Sequence, residues 1–289
     1  MTTATAAAQG VASEAPAHPP QEAHGHGAPH GGDHDAEHHG TVAPLVVSAG
    51  LGLALTGLIL NPGVMLVGLA VFAIGFWLWA QEYLRTTDDE KGDIATHWPF
   101  QGLEVRKVGM WVFLMTEMMI FSSLISVYLR YRWTAGADWQ PAATHLNLPL
   151  GALNTFILIS SSFTLAMALD GIRRGKHQRM MFGLAMTMLC GILFLLIKGV
   201  EWYEMIYLAP HGEPFTPWGS LEGTTFYVTT GTHGAHVFGG VVVLGFLLWK
   251  GSTGTLNAAN NNSIEYFGLY WHFIDIVWAL PIFPFFYLV

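Results

Sequence analysis

Apolar residues along this chain gather into long, nearly unbroken runs rather than into alternating or striped patterns. The runs cover approximately residues 42–60, 64–83, 108–130, 148–169, 180–208, 224–249 and 264–289. A helix that crosses the hydrocarbon core of a bilayer needs roughly 20 such residues, so the pattern predicts seven transmembrane helices. Only Asn61-Pro62-Gly63 separates the first two, which predicts a tight hairpin broken at Pro62 and Gly63. A longer polar connection sets that hairpin apart from the other five helices. The expected organisation is therefore a tail over 1–41, a hairpin over 42–83, a cytoplasmic loop over 84–107 and a five-helix bundle over 108–289.

The tail departs from the pattern. It holds half of the chain's 14 histidines, is rich in Ala, Gly and Pro, and lacks Lys and Arg. Its apolar surface is too small to offset the entropy of ordering, so disorder is expected. No basic segment precedes an apolar core there, as a secretory signal would require. The stretch HGHGAPHGGDHDAEHH could hold a transition metal loosely, since imidazole suits nickel, copper and zinc. A solvated low-complexity tail is the plainer reading.

Composition agrees with a membrane protein. Hydrophobic residues make up 52% of the chain and charged residues 11%, where soluble domains carry roughly 25% charged residues. The 11 Trp and 9 Tyr suit repeated membrane interfaces. Cys190, the only cysteine, excludes an internal disulfide, and no CxxC or CxxCH motif offers zinc or attached haem. No basic patch suits nucleic acid. Cations fall on alternate connections: Arg85, Lys91, Arg106 and Lys107, then Arg173, Arg174, Lys176 and Arg179, then Lys250. The other side has only Arg130 and Arg132, so the N-terminus is expected in the cytoplasm and the C-terminus outside.

Within the spans, ionisable groups stand out, because each costs about 2.5–3.5 kcal/mol at the centre of an inserted helix. Glu117 lies near mid-membrane. Lys198 and Glu201 are spaced to pair on one helix face. His272 and Asp275 share that spacing, and the carboxylate could accept from the imidazole and fix its tautomer. Trp271 and Trp278 lie two turns apart on one face. In GTHGAHVFGG, His233 and His236 suggest a haem or metal ligand set. A haem held by two histidines needs imidazoles facing it from two helices, however, and His272 is the only other histidine in the spans. Hydrogen bonding between helices is the alternative, with Gly231, Gly234, Gly239 and Gly240 allowing close helix approach. Proton-coupled transport would also use such residues, but the two-plus-five division shows no matching halves.

Five ordered motifs then resemble subunit III of the haem–copper respiratory oxidases, over about residues 64–289. VGMWVFLMTEMMIF resembles that family's third helix with its buried acid, here Glu117. LNTFILISSSFTLAMAL resembles the fourth, with Asn154, Ser160, Ser161 and Ser162. EWYE is similar to a Glu-Tyr pattern, with Trp202 in place of tyrosine. GTTFYVTTGTHGAHVFGG and YWHFIDIVW resemble the sixth-helix and last-helix signatures.

The resemblance implies an all-α integral membrane fold, with seven transmembrane helices in a two-helix plus five-helix V-shaped arrangement around structural phospholipids. It implies no cofactor in this chain; haem and copper belong to partner subunits. Subunit I is the direct partner and holds the active site of a proton-translocating cytochrome c oxidase, subunit II receives electrons, and other respiratory-complex subunits adjoin. The expected setting is a bacterial plasma membrane. The expected role is to stabilise subunit I, bind lipid, and support proton uptake and oxygen access. Glu117, Asn154, Lys198, Glu201, His233, His236, Trp271, His272 and Asp275 become buried interhelical or lipid-cleft residues rather than catalysts. Trp77, Trp79, Arg85, His97 and Arg106 become lipid-headgroup candidates, for which ordinary interfacial anchoring is an equal reading. Lys198 stands where the mitochondrial pattern carries glutamine and is closer to bacterial branches that include quinol oxidases, so the electron donor stays open. Proteins associated with nitric oxide reductase share parts of the motifs.

Overall fold

The computed structural model describes residues 42–86, 94–95, 99–136, 139, 142–209, 214–254, 256 and 262–288. The histidine-rich tail, His97 and most of the first long connection lie outside these residues. Seven helices follow in order: α1 (Ala43–Leu60), α2 (Pro62–Thr86), α3 (Val105–Ala135), α4 (Leu148–Arg173), α5 (His177–Tyr203), α6 (Leu221–Ser252) and α7 (Asn262–Val277). The spans from α3 onward, Val105–Ala135, Leu148–Arg173, His177–Leu208, Leu221–Ser252 and Asn262–Leu288, are long and apolar enough to cross a membrane. α1 and α2 carry shorter apolar segments, Ala43–Ala54 and Gly63–Trp79.

The chain divides into two compact units, one ending at Tyr83 and one beginning at Leu84. In the first, the break between α1 and α2 falls on Asn61 alone, whose backbone is extended. Pro62 opens α2 instead of breaking it, because the first helical position has no use for an amide hydrogen and suits proline's fixed φ. Asn61 Oδ1 accepts from the Gly63 amide at 2.7 Å, satisfying an early orphan donor. The two helices then meet through glycine. A Cβ placed on Gly57 would lie 2.1 Å from the Met65 nitrogen, and one on Gly68 would lie 2.2 Å from the Ala54 nitrogen. Gly50 and Gly75 approach Phe72 and Val47 in the same way.

In the second unit several helix ends carry specific caps. Asn147 accepts from the Leu150 amide to start α4, and Ser220 accepts from Gly223 to start α6. Gly175 adopts φ 66° between α4 and α5, a left-handed conformation that closes the helix end with Lys176 donating to Gly171 at 2.8 Å. Beyond that turn α4 and α5 pack closely, with Gly183 directly against the Thr164 carbonyl and Ala168. The core joins Phe121, Leu158, Leu165, Leu184, Phe194, Phe226, Leu244, Trp271, Trp278 and Phe286 from all five helices.

Helix bounds differ from the sequence expectation where interfacial polar residues join helices. α2 runs on to Thr86, and α3 begins at Val105, so Arg106 and Lys107 stand in its first turn instead of in the loop. The last span is not one regular helix. After Val277 the chain winds through wider π-type turns, Trp278–Ile282 and Pro284–Leu288. Pro281 and Pro284 lack the amide hydrogens that regular winding would use.

Candidate functional site

The polar residues of the five-helix unit form several separate contacts between helices. On α5, Lys198 and Glu201 are 7% and 3% exposed, and the ammonium donates to the carboxylate at 2.5 Å. Lys198 also donates to the Tyr287 hydroxyl at 2.6 Å, and that hydroxyl donates onward to Glu201 at 2.7 Å. The rings of Phe226, Trp278 and Tyr287 each lie 5.2 Å from the ammonium. A cation over aromatic faces gains from their negative quadrupole, which offsets part of its desolvation.

Glu117 on α3 reaches His236 on α6, with Oε2 2.8 Å from Nε2. The Thr232 carbonyl accepts from Nδ1 at 2.7 Å. That contact places a hydrogen on Nδ1, and the Nε2–carboxyl contact ties α3 to α6.

His233 departs from expectation. It is 0% exposed, yet neither ring nitrogen has a hydrogen-bond partner among the described residues. It packs instead among the rings of Phe194, Phe121 and Trp278, at centroid distances of 5.5, 6.4 and 5.1 Å. Helical spacing gives His233 and His236 neighbouring positions on α6, but only His236 finds an acceptor across the interface. Asn154 is likewise fully buried with no partner for its amide among the described residues.

The expected close backbone approach at the α6 glycines is also corrected. Gly240 and Gly191 make room for the Trp271 ring, Gly231 faces the Trp202 ring, and Gly234 meets nothing within 4 Å. These glycines admit aromatic side chains. Trp271, 0% exposed, donates through Nε1 to Ser161 Oγ at 2.8 Å, and Trp278 donates to Thr155 at 3.0 Å. Both indoles thus tie α7 and its extension to α4.

His272 and Asp275 are linked through a third residue. Ser162 Oγ lies 2.8 Å from His272 Nδ1 and donates to Asp275 Oδ2. At the start of α7, Glu265 accepts from Lys107 and Arg173, both at 2.7 Å. Glu104 accepts from Asn262 at 3.0 Å and from the Tyr266 hydroxyl. The start of α7 is therefore tied to α3 and α4. Of the headgroup candidates, Trp77, Trp79 and Arg106 are exposed. The Arg85 side chain and His97 lie outside the described positions.

Sequence reading missed Tyr287, Tyr128, Thr155, Glu104 and Glu265. Tyr128 donates to the Phe285 carbonyl at 2.8 Å while accepting from Arg132. Their partners lie far away in sequence, and a tyrosine in an aromatic-rich span gives no periodic signal. Ser162 was within reach, since SSS faces a helix that carries both His and Asp. Among the described residues, no group of three or more His, Cys, Asp or Glu is placed to hold a metal ion.

This is a polytopic helical membrane protein. Comparison with known proteins is specific: residues 38–289 match the family described as cytochrome c oxidase subunit III. The chain belongs to that family. The match begins before α1 and so includes the whole hairpin, more than the motifs alone covered. A "Heme-copper oxidase subunit I+III" of Aeropyrum pernix is 33% identical over 89% of this chain, which spans 31% of that longer protein. A "Probable cytochrome c oxidase subunit 3" of Nocardia farcinica is 35% identical over 59% of this chain and 82% of its own length. A "Probable quinol oxidase subunit 3" of Staphylococcus haemolyticus is 34% identical over 61% and 85%. As a member of this family, the chain is an accessory subunit of a haem–copper oxidase complex.

Proposed function

We propose that this chain is a non-catalytic, cofactor-free subunit III that holds subunit I in its working form in an aa3-type oxidase of a bacterial plasma membrane. The carrying observation is that Lys198, Glu201, Glu117, His236, Ser162 and Asp275 are bonded to partners within the bundle and do not converge on one substrate pocket. Binding energy in the chain goes into its own rigidity, as suits a scaffold. The fusion of subunits I and III in a relative supports subunit I as the direct partner. In this reading haem and copper reside in the partners, and structural phospholipid covers exposed apolar faces. Apolar oxygen reaches the neighbour through that hydrocarbon, and proton uptake is supported at the cytoplasmic side.

The complex is tested with and without this chain. Oxidase lacking it should begin at the normal rate and lose activity within the turnover period; an unchanged lifetime would remove the protective role. A cytochrome c donor is the primary reading, and the 34% identity to a quinol oxidase subunit supports quinol as the second. Oxidation of reduced cytochrome c or of quinol by the purified complex decides between them.

A further inference from the structure

Between α4 and α7 runs a groove of about 190 Å³ lined by Leu165, Leu169, Asp170, Arg173, Gly268 and His272, among others. Asp170 and Arg173 stand at the end of α4, where Arg173 meets Glu265, and His272 lies two turns further into the bundle along α7. This inner residue connects the groove to the buried contacts. Ser162 has a single hydroxyl proton and donates it to Asp275. The Ser162 oxygen can then only accept from His272, so Nδ1 carries the hydrogen. The remaining nitrogen, Nε2, is left as an acceptor at the groove, with no protein partner among the described residues. At the other end of this chain of bonds, Asp275 is 6% exposed and its Oδ1 has no hydrogen-bond partner among the described residues. Buried carboxyl oxygens rarely stay unpaired, and water or a proton is the usual remedy.

We propose that the α4–α7 groove is a water-accessible inlet, and that Asp275 at its inner end is a proton-exchanging carboxyl reached through His272 and Ser162. A hydronium ion in the groove gives a proton to Nε2, forming an N–H bond and leaving water, as the Nδ1 hydrogen passes to Ser162 Oγ. The serine's own hydrogen passes to Asp275 Oδ2, so one proton moves from hydronium to carboxylate and each donor's broken bond is matched by one formed on its acceptor. The groups around the carboxyl are Ser161 and Ser162 on α4, His272 on α7, and the Cys190 thiol within electrostatic range on α5; Asp170 and Arg173 lie at the mouth. The inlet stands on this geometry alone, whichever donor the oxidase uses and whether or not the chain protects subunit I.

Two measurements on the intact oxidase complex in membranes test it. In a Cys190→Ala background, Ala166→Cys at the groove should react with a charged, membrane-impermeant methanethiosulfonate added on the Arg173 side. Reaction only with an apolar maleimide would mean that hydrocarbon fills the groove, and would overturn the inlet. Gly268 lines the groove and an added Cβ there meets nothing within 4 Å, so a leucine at this position reaches into the groove. Gly268→Leu should abolish the labelling in a complex whose thermal midpoint shows it folded. Infrared spectra at low pH should show a carboxyl C=O band that is lost in Asp275→Asn, shifts in D₂O, and exchanges severalfold more slowly in Gly268→Leu. The absence of an Asp275-dependent band, or exchange unaffected by the plug, would overturn the carboxyl's role.

Discussion

The hairpin and the five-helix unit solve the same packing problem with a different balance of means. In α1 and α2, glycine removes the side chain, and the backbone of one helix rests on the backbone of the other at Gly50, Gly57, Gly68 and Gly75. In α3 to α7, glycine brings α4 and α5 together at Gly171 and Gly183, but elsewhere large side chains stand between the helices. Trp271 fills the space left by Gly191 and Gly240, and the spaces at mid-membrane hold a lysine, carboxylates and histidines. Lipid tails are as apolar as leucine, so burying apolar surface between membrane helices gains little. Dispersion at close approach and hydrogen bonds remain as the sources of helix association. The hairpin relies on the first, and the larger unit adds the second. A contact made by shape fails through added volume, and a contact made by charge fails through a lost partner.

That contrast orders the expected effects. The largest is in the charged contact: Lys198→Met leaves Glu201 buried and uncompensated, at a cost of about 3–5 kcal/mol. The measurement is the thermal midpoint of the complex, and Lys198→Met with Glu201→Leu should recover most of the loss. No recovery in the double variant would mean that the pair does more than neutralise itself. Next is the shape-dependent contact. Gly57→Leu and Gly68→Leu force helices apart and should cost at least the ~1–3 kcal/mol of ordinary overpacking, read as protease cleavage of the hairpin. If either behaves as wild type, backbone contact is not what holds α1 to α2. Smaller is Ser161→Ala, which leaves the Trp271 ring in place and removes its bond to the hydroxyl. Loss of a single interhelical hydrogen bond in a membrane averages ~0.6 kcal/mol, enough for a detectable shift in the midpoint. The smallest is Gly234→Ala, with Gly52→Ala in the hairpin. Neither Cβ would meet an atom within 4 Å, so both should stay within about ±0.5 kcal/mol. A large effect at Gly234 would restore the idea of a close helix crossing there.

The two regions were also unequally legible. Among the described residues hydropathy located α1 to α7, because span length is set by the bilayer and needs no tertiary information. The Lys198–Glu201 pair was readable because both residues lie on one helix at a spacing that brings them together. The hairpin glycines went unread, although they recur two turns apart in each helix, since their significance depends on the facing helix. His233 shows the limit of spacing arguments. The same pattern that brings His236 to Glu117 turns His233 into a ring of aromatics, and only the positions of α3, α5 and the chain beyond α7 decide which is which. The link between His272 and Asp275 had the right members and lacked its middle one, Ser162, contributed by another helix.

The many bonds that end on α7 and its extension also give the bundle an order in time. Membrane helices are made from the N-terminal end, so α3, α4 and α5 precede the residues that complete them. Ser161 and Ser162 await Trp271 and His272, Lys107 and Arg173 await Glu265, and Lys198 with Glu201 awaits Tyr287. A chain that has reached only α6 holds these groups without the partners that α7 and its extension supply. Helix α7 and its extension supply the partners that make the earlier helices stable company for lipid, so the five-helix unit closes only once they are in place.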